Sequence, residues 1–180
     1  PGGRHQAVVF QNVDTFEGQS RLFQAEVLGH SSMLIQEITR VTRQRYLPPN
    51  ANKKHVAIHI RRGDFRTPAT ATELQQGHRN SRIPIAWYRD MLIGIRSRCQ
   101  VHLPAIVYSD GSDDELTEVL GLPDVVRSTA SAAITDLLAI SQATLLLASG
   151  SGFSIWGSFL GQVPRICFPG QLLISTLEAS

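Results

Sequence analysis

Two adjacent arginines stand directly after a short apolar run in His59-Ile60-Arg61-Arg62-Gly63-Asp64. Planar guanidinium forks match phosphate oxygens two at a time, which lysine cannot do. At the carboxyl end of a strand such a pair would neutralise a diphosphate, with Asp64 orienting one guanidinium or a ribose hydroxyl. His59 shares strand parity with Arg61 and so lies on the same side. An Arg–Asp pair that only holds a long loop at a strand end fits the same residues, and the sequence leaves both uses open.

The segment Ser149-Gly150-Ser151-Gly152-Phe153-Ser154 is the second signal. Small residues between a strand and a helix let a ligand approach backbone N–H groups, and the hydroxyls of Ser149 and Ser151 add donors. The spacing is not that of a P-loop. Gly150, Gly152 and Gly157 also miss the dinucleotide fingerprint, so a plain tight turn is the alternative. Asp136 is the third signal, an acid in an otherwise apolar helix. It serves either as a dipole partner in a first turn or as a contact to a sugar or base edge. Ser109-Asp110 reads as a rim loop or an ordinary Asp-Gly turn. The six histidines show no metal-ligand spacing, and two cysteines make neither a disulfide framework nor a thiolate zinc site, so no metal is expected.

These residues need a scaffold, and the pattern from residue 55 onward supplies one. Strands are expected at 55–60, 105–108, 125–126, 144–148 and 165–168. Helices are expected at 85–99, from 113, at 131–142 and near 153–160. Pro84 suits a helix start, and Asp113, Asp114 and Glu115 suit a helix N-terminus. The stretch 61–82 reads as a polar loop broken by Thr67-Pro68 and Gly77. Strands alternating with helices imply an α/β fold with an open parallel sheet covered on both faces. Ligands bind such sheets at the carboxyl ends of the strands, where the segments after Ile60, Tyr108 and Ala148 all emerge. In the first 54 residues a strand is expected at 7–10 and helical stretches over 22–46, interrupted near Gly29. A break follows at Leu47-Pro48-Pro49-Asn50. Residues 1–54 are read as a lead-in segment, either the start of the same domain or the tail of a preceding one.

Length and composition exclude several classes. At 180 residues, 42% hydrophobic and 18% charged, the chain can bury a core without staples and is not a disordered or fibrous sequence. No apolar run approaches the ~20 residues of a membrane span. Charge is uneven: residues 53–100 carry ten Lys or Arg against three acids, and 101–140 carry seven acids against one Arg. A basic stretch can serve nucleic acid, a membrane surface or a phosphorylated small molecule. Nucleic acid is not expected, because exposed aromatics do not interleave with the cations and no recognition helix is evident. Arg89, Arg96 and Arg98 read as a solvated helix face. The chain does not begin with Met, so residue 1 is expected not to be the natural start.

His59-Ile60-Arg61-Arg62-Gly63-Asp64 resembles the His-x-Arg-Arg-x-Asp motif of the α-1,2- and α-1,6-fucosyltransferases and the related protein O-fucosyltransferases. Val107-Tyr108-Ser109-Asp110 looks like the second family strand with its Ser/Thr-Asp end. The segment 136–154 with Trp156 is similar to the third family motif. The blocks fall in family order over about residues 55–168. The resemblance implies the C-terminal, donor-binding half of a GT-B enzyme, a pair of Rossmann-like domains. Residues 55–180 would be the nucleotide-sugar donor-binding domain, and the acceptor-binding half would precede it. It implies GDP-fucose as donor substrate, GDP as product, a glycan or peptide acceptor, and inverting transfer without a metal. Arg61 would clamp the β-phosphate with Arg62 as its essential neighbour. His59 would approach the guanine nucleotide, Asp136 would contact guanine or ribose, and Ser151 and Gly152 would lie near the pyrophosphate. No general base is assigned. Trp87, Trp156 and the 64–82 loop could stack on sugar, although a core role suits both tryptophans. A bacterial cytoplasmic enzyme, free or peripheral to the inner membrane, is expected, with the Golgi lumen as alternative. Two other readings stay open: a dinucleotide-dependent oxidoreductase with Asp110 holding ribose, and a catalytically silent nucleotide-binding domain.

Overall fold

The computed structural model describes residues 27, 29–49, 54–76, 78, 80–100 and 102–171. Five strands form one sheet: β1 (Val56–Ile60), β2 (Ala105–Ser109), β3 (Val125–Arg127), β4 (Leu145–Ala148) and β5 (Arg165–Cys167). Every pairing is parallel, and the spatial order is β3-β2-β1-β4-β5. The helices are α1 (Ser31–Val41), α2 (Ala71–Gln75), α3 (Ile85–Cys99), α4 (Asp113–Leu120), α5 (Ala133–Ile140) and α6 (Gly152–Gly161). The chain is thus an α/β protein with a Rossmann-like open parallel sheet.

Local chemistry sets the helix ends. Ser112 accepts from the Glu115 N–H while Glu115 reaches back to the Ser112 N–H, a reciprocal cap that starts α4. Ser151 caps α6 by accepting from the Ser154 N–H. Pro84 precedes α3, where its missing N–H costs nothing. Gln100 and Gln162, with φ of 52° and 51°, end α3 and α6 in the left-handed region.

Strand parity then sorts the core. Val56, Ile58 and Ile60 of β1 point to the face covered by α3 and α4, against Tyr88, Leu92, Leu116 and Val119. Each buried Leu or Ile side chain contributes roughly 1.5–3 kcal/mol by leaving water. Ala57 points the other way, toward Tyr108, Ile140, Leu146 and Val163. Trp87 lies edge-on to Tyr88 and Phe168 in the first core, and Trp156 lies edge-on to Phe159.

From residue 55 onward the expected strands and helices all appear, with ends shifted by a residue or two. The 61–82 stretch is more structured than expected. It holds α2, pairs Arg66 with Ser81 in an isolated bridge, and buries Phe65, Leu74 and Ser81. Gln171, itself buried, donates to the Leu74 and His78 carbonyls and ties this loop to the segment after β5. Before the sheet, α1 packs on α6, with Gln162 Nε2 donating to Ser31 Oγ. Gly29 precedes α1 with φ of 77°. The strand expected at 7–10, the part of the helical stretch at 22–26, Asn50 of the break, Gly77 of the loop and residues 172–180 lie outside the described residues. Among the described residues no helix is long and apolar enough to cross a membrane.

Candidate functional site

In the observed order, β1 and β4 are neighbours whose chains continue to opposite sides of the sheet. That is the switch point at which open α/β sheets bind ligands. A cleft of about 460 Å³ opens there, lined by Arg61, Asp64 and Phe65 after β1, Asn80 of the loop, and Gly150, Ser151, Gly152 and Phe153 after β4. Four of the sequence candidates therefore meet in one space: Arg61, Asp64, Ser151 and Gly152. A second cavity, about 350 Å³, lies between α1, Leu47-Pro48 and the ends of α5 and α6. It has no charged lining residue and sits away from the strands' carboxyl edge.

Arg61 and Asp64 are the charged residues of the cleft lining, with 39% and 69% of their side chains exposed. Arg61 Nε donates to Asp64 Oδ1 at 2.8 Å and its NH1 lies 2.9 Å from Asp110 Oδ2. The Asp64 hydrogen bond, ahead of the Asp110 charge, holds the guanidinium more firmly protonated than usual, and the same bond lowers the Asp64 carboxyl. Asp110 sits under the loop and also accepts the N–H groups of Arg62 and Gly63 at 2.7 and 3.0 Å. A Cβ on Gly63 would stand 2.6 Å from Asp110 Oδ2, so this close approach needs glycine.

Arg62 leaves the strand on the opposite side and does not line the cleft. It lies with Ile60 toward α4, where its Nε meets Glu115 Oε1 and its NH1 meets the Ile83 carbonyl, both at 3.4 Å. Arg82 shares that Glu115 oxygen. The structure thus separates the two arginines that the sequence reading paired on a diphosphate, because consecutive residues leaving a strand face opposite sides.

His59 lies behind the cleft wall, 6% exposed. Its Nδ1 is 2.7 Å from Ser154 Oγ, 2.9 Å from Ser149 Oγ and 3.4 Å from Ser151 Oγ. The three oxygens lie 3.3–3.5 Å from one another. The Phe153 ring packs beside the imidazole at 5.0 Å. Burial, before any neighbouring charge, lowers the His59 pKa to about 4, so the ring is neutral at pH 7.

Asp136 is placed apart from the cleft, in the first turn of α5. It accepts from Ser128 Oγ at 2.6 Å, and burial raises its carboxyl pKa despite that bond. Burial, then the Asp136 charge, raises the Tyr108 phenol above its ordinary range. Tyr108 is the register partner of His59 across β1 and β2. Asp136, Tyr108 and His59 therefore belong to the face covered by α5 and α6. Thr135, next to Asp136, donates from Oγ1 to the Tyr46 carbonyl at 2.7 Å, which brings the segment before the sheet against this helix.

Sequence reasoning left Phe65, Asn80, Tyr108, Phe153 and Ser154 out of the site. The spacing of Ser154 three residues after a capping serine was the available signal for that one. Chemically, the cleft sets the Arg61 guanidinium, paired with Asp64, opposite the first turn of α6, where the N–H groups of Gly152 and Phe153 have no intrahelical partner and can receive an anion. Among the described residues no three His, Cys, Asp or Glu side chains gather as a metal site would require.

No protein-family model matches the sequence, and no curated protein matches it. Two solved structures resemble the chain. One is POFUT1 in complex with GDP, at 19% identity and a TM-score of 0.42, covering 78% of this chain and 46% of that one. The other is POFUT1 in complex with GDP-fucose, at 16% identity and a TM-score of 0.45, covering 84% and 50%. The chain spans about half the length of each. Likeness at this level concerns the course of the chain and assigns neither ligand nor residue.

Proposed function

We propose that this chain is the donor-binding half of a fucosyltransferase, taking GDP-fucose and passing fucose with inversion to a hydroxyl of a glycan or a protein. The observation that carries the reading is the meeting of Arg61 with the Ser151-Gly152 turn at the switch point, inside the three-block motif resemblance. In the proposed reaction the acceptor oxygen attacks the anomeric carbon and the bond from that carbon to the β-phosphate oxygen breaks. GDP leaves with the electron pair. The acceptor proton passes to a base that this chain is not assigned to supply. Arg61 and the α6 N–H groups neutralise charge growing on the phosphate, a role that needs no metal here. Residues 55–180 form the proposed donor domain, and the acceptor half would come from preceding sequence. Asp110, the ribose acid of the oxidoreductase alternative, does not line the cleft and already accepts from two backbone N–H groups and Arg61.

The test is calorimetric titration with GDP, GDP-fucose, UDP and NAD. Binding of the two guanine nucleotides at micromolar concentration, with none for UDP or NAD, is the expected result. Preferred binding of NAD would sink the proposal. Fucose transfer after the preceding sequence is restored would separate an enzyme half from a silent nucleotide-binding domain.

A further inference from the structure

Ser151 stands between two glycines, and nothing lies within 4 Å of the place a Cβ on Gly152 would take. The turn that forms one wall of the cleft therefore has no side-chain packing of its own at that point. Gln171 packs against Gly150 on one flank, and the remaining restraint is polar and comes from behind. Ser151 Oγ accepts the Ser154 N–H, and the hydroxyls of Ser149, Ser151 and Ser154 all converge on the single Nδ1 of His59. One ring nitrogen has one lone pair or one N–H to offer. It therefore decides which hydroxyls are committed inward and which remain free to turn toward the cleft. The imidazole is itself fixed by β1 and by the Phe153 ring.

We infer that His59 is a positioning residue, acting through Nδ1 on the 149–154 turn rather than by touching the ligand, so that Ser151 and the first N–H groups of α6 are held in place for an anion. For the identity of that anion the inference rests on the donor-binding reading above, whereas the bracing of the turn does not. It differs from the role the motif resemblance implies, in which the imidazole meets the nucleotide directly.

Asparagine and glutamine separate the two roles, because an Asn amide reaches the position of Nδ1 and a Gln amide that of Nε2. The full chain is compared as wild type, His59→Asn, His59→Gln and the double variant Ser149→Ala/Ser154→Ala. The readouts are amide exchange at Ser154 without ligand and calorimetric affinity for GDP. The expected result is that His59→Asn keeps the Ser154 exchange rate and the GDP affinity within about threefold. His59→Gln and the double variant raise exchange and weaken GDP by about tenfold, the size of one buried hydrogen bond. His59→Gln retaining affinity while His59→Asn loses it would overturn the inference in favour of direct contact. Unchanged Ser154 exchange in every variant would overturn it as well. If the wild type bound no GDP, the donor-binding reading would fail, and the exchange series alone would still support or refute the bracing of the turn.

Discussion

Arg61 and Arg62 leave the same strand end and meet different chemistry. On the α5/α6 side, the neighbours of the cleft are hydroxyls, glycines and helix N–H groups, and Arg61 keeps 39% of its side chain exposed. On the α3/α4 side, Arg62 is 17% exposed and spends its guanidinium on Glu115 and a backbone carbonyl. One side of the carboxyl edge sets a guanidinium, paired with Asp64 and Asp110, on the cleft, and the other buries one against Glu115 away from it. Asp110 stands between them, binding Arg61 by charge and the backbone of Arg62 and Gly63 by hydrogen bonds. The lesson is that a doubled residue type in a motif need not mean a doubled function, because strand parity divides it.

The largest expected effect separates the sides by pH. His59 has its ordinary value near 6.5 in the unfolded chain and about 4 when folded, so protons bind the unfolded chain preferentially in that interval. Its contribution is complete above pH 6.5 and is lost as pH falls toward 4, on the order of 3 kcal/mol in all. Urea unfolding at a series of pH values should show that loss in the wild type and not in His59→Asn. Parallel pH curves would mean that the imidazole is not held neutral behind the cleft.

Asp110→Ala strikes both sides at once, since two N–H donors and one guanidinium lose their partner. A stability loss of about 1–3 kcal/mol is expected by urea unfolding, together with weaker GDP binding. A change in only one of the two readouts would show that the sides are not joined at Asp110. Arg62→Ala should cost about 1–2 kcal/mol of stability, and Arg62→Met, which keeps the apolar stem, should cost less. An unchanged unfolding midpoint in Arg62→Ala would remove the loop-holding role. Smallest is Gly152→Ala. The position is open and begins a helix, so stability should stay within about 0.5 kcal/mol, while the added methyl narrows the cleft and lowers GDP affinity.

Much of this arrangement was legible in the sequence. Apolar runs and helical spacing located five strands and the helices between them, because each buried strand is short and bounded by turn residues. Arg61, Asp64, Ser151 and Gly152 were legible as cleft residues from their places after strands. The side taken by Arg62 was hidden by treating the arginine pair as a unit, although the parity that joins His59 to Arg61 also sends Arg62 away. The inward commitment of Ser149 and the part played by Ser154 depend on β1 lying beside β4, which no local pattern reveals. Asp110 read as a rim or turn residue because its two N–H partners lie nearly fifty residues earlier. The 64–82 loop is held from within by Arg66, Glu73 and Arg82 and from outside by Gln171, almost a hundred residues beyond Leu74.

The division of labour between the two arginines is tested most directly by titrating GDP into the wild type, Arg61→Ala and Arg62→Ala, with the urea midpoint of each measured alongside. Arg61→Ala should weaken GDP about 100-fold, near 3 kcal/mol, and leave the midpoint nearly in place. Arg62→Ala should lower the midpoint and keep GDP affinity within about threefold, well under 1 kcal/mol. Equal loss of affinity in both variants, or a loss that follows Arg62 alone, would contradict the division.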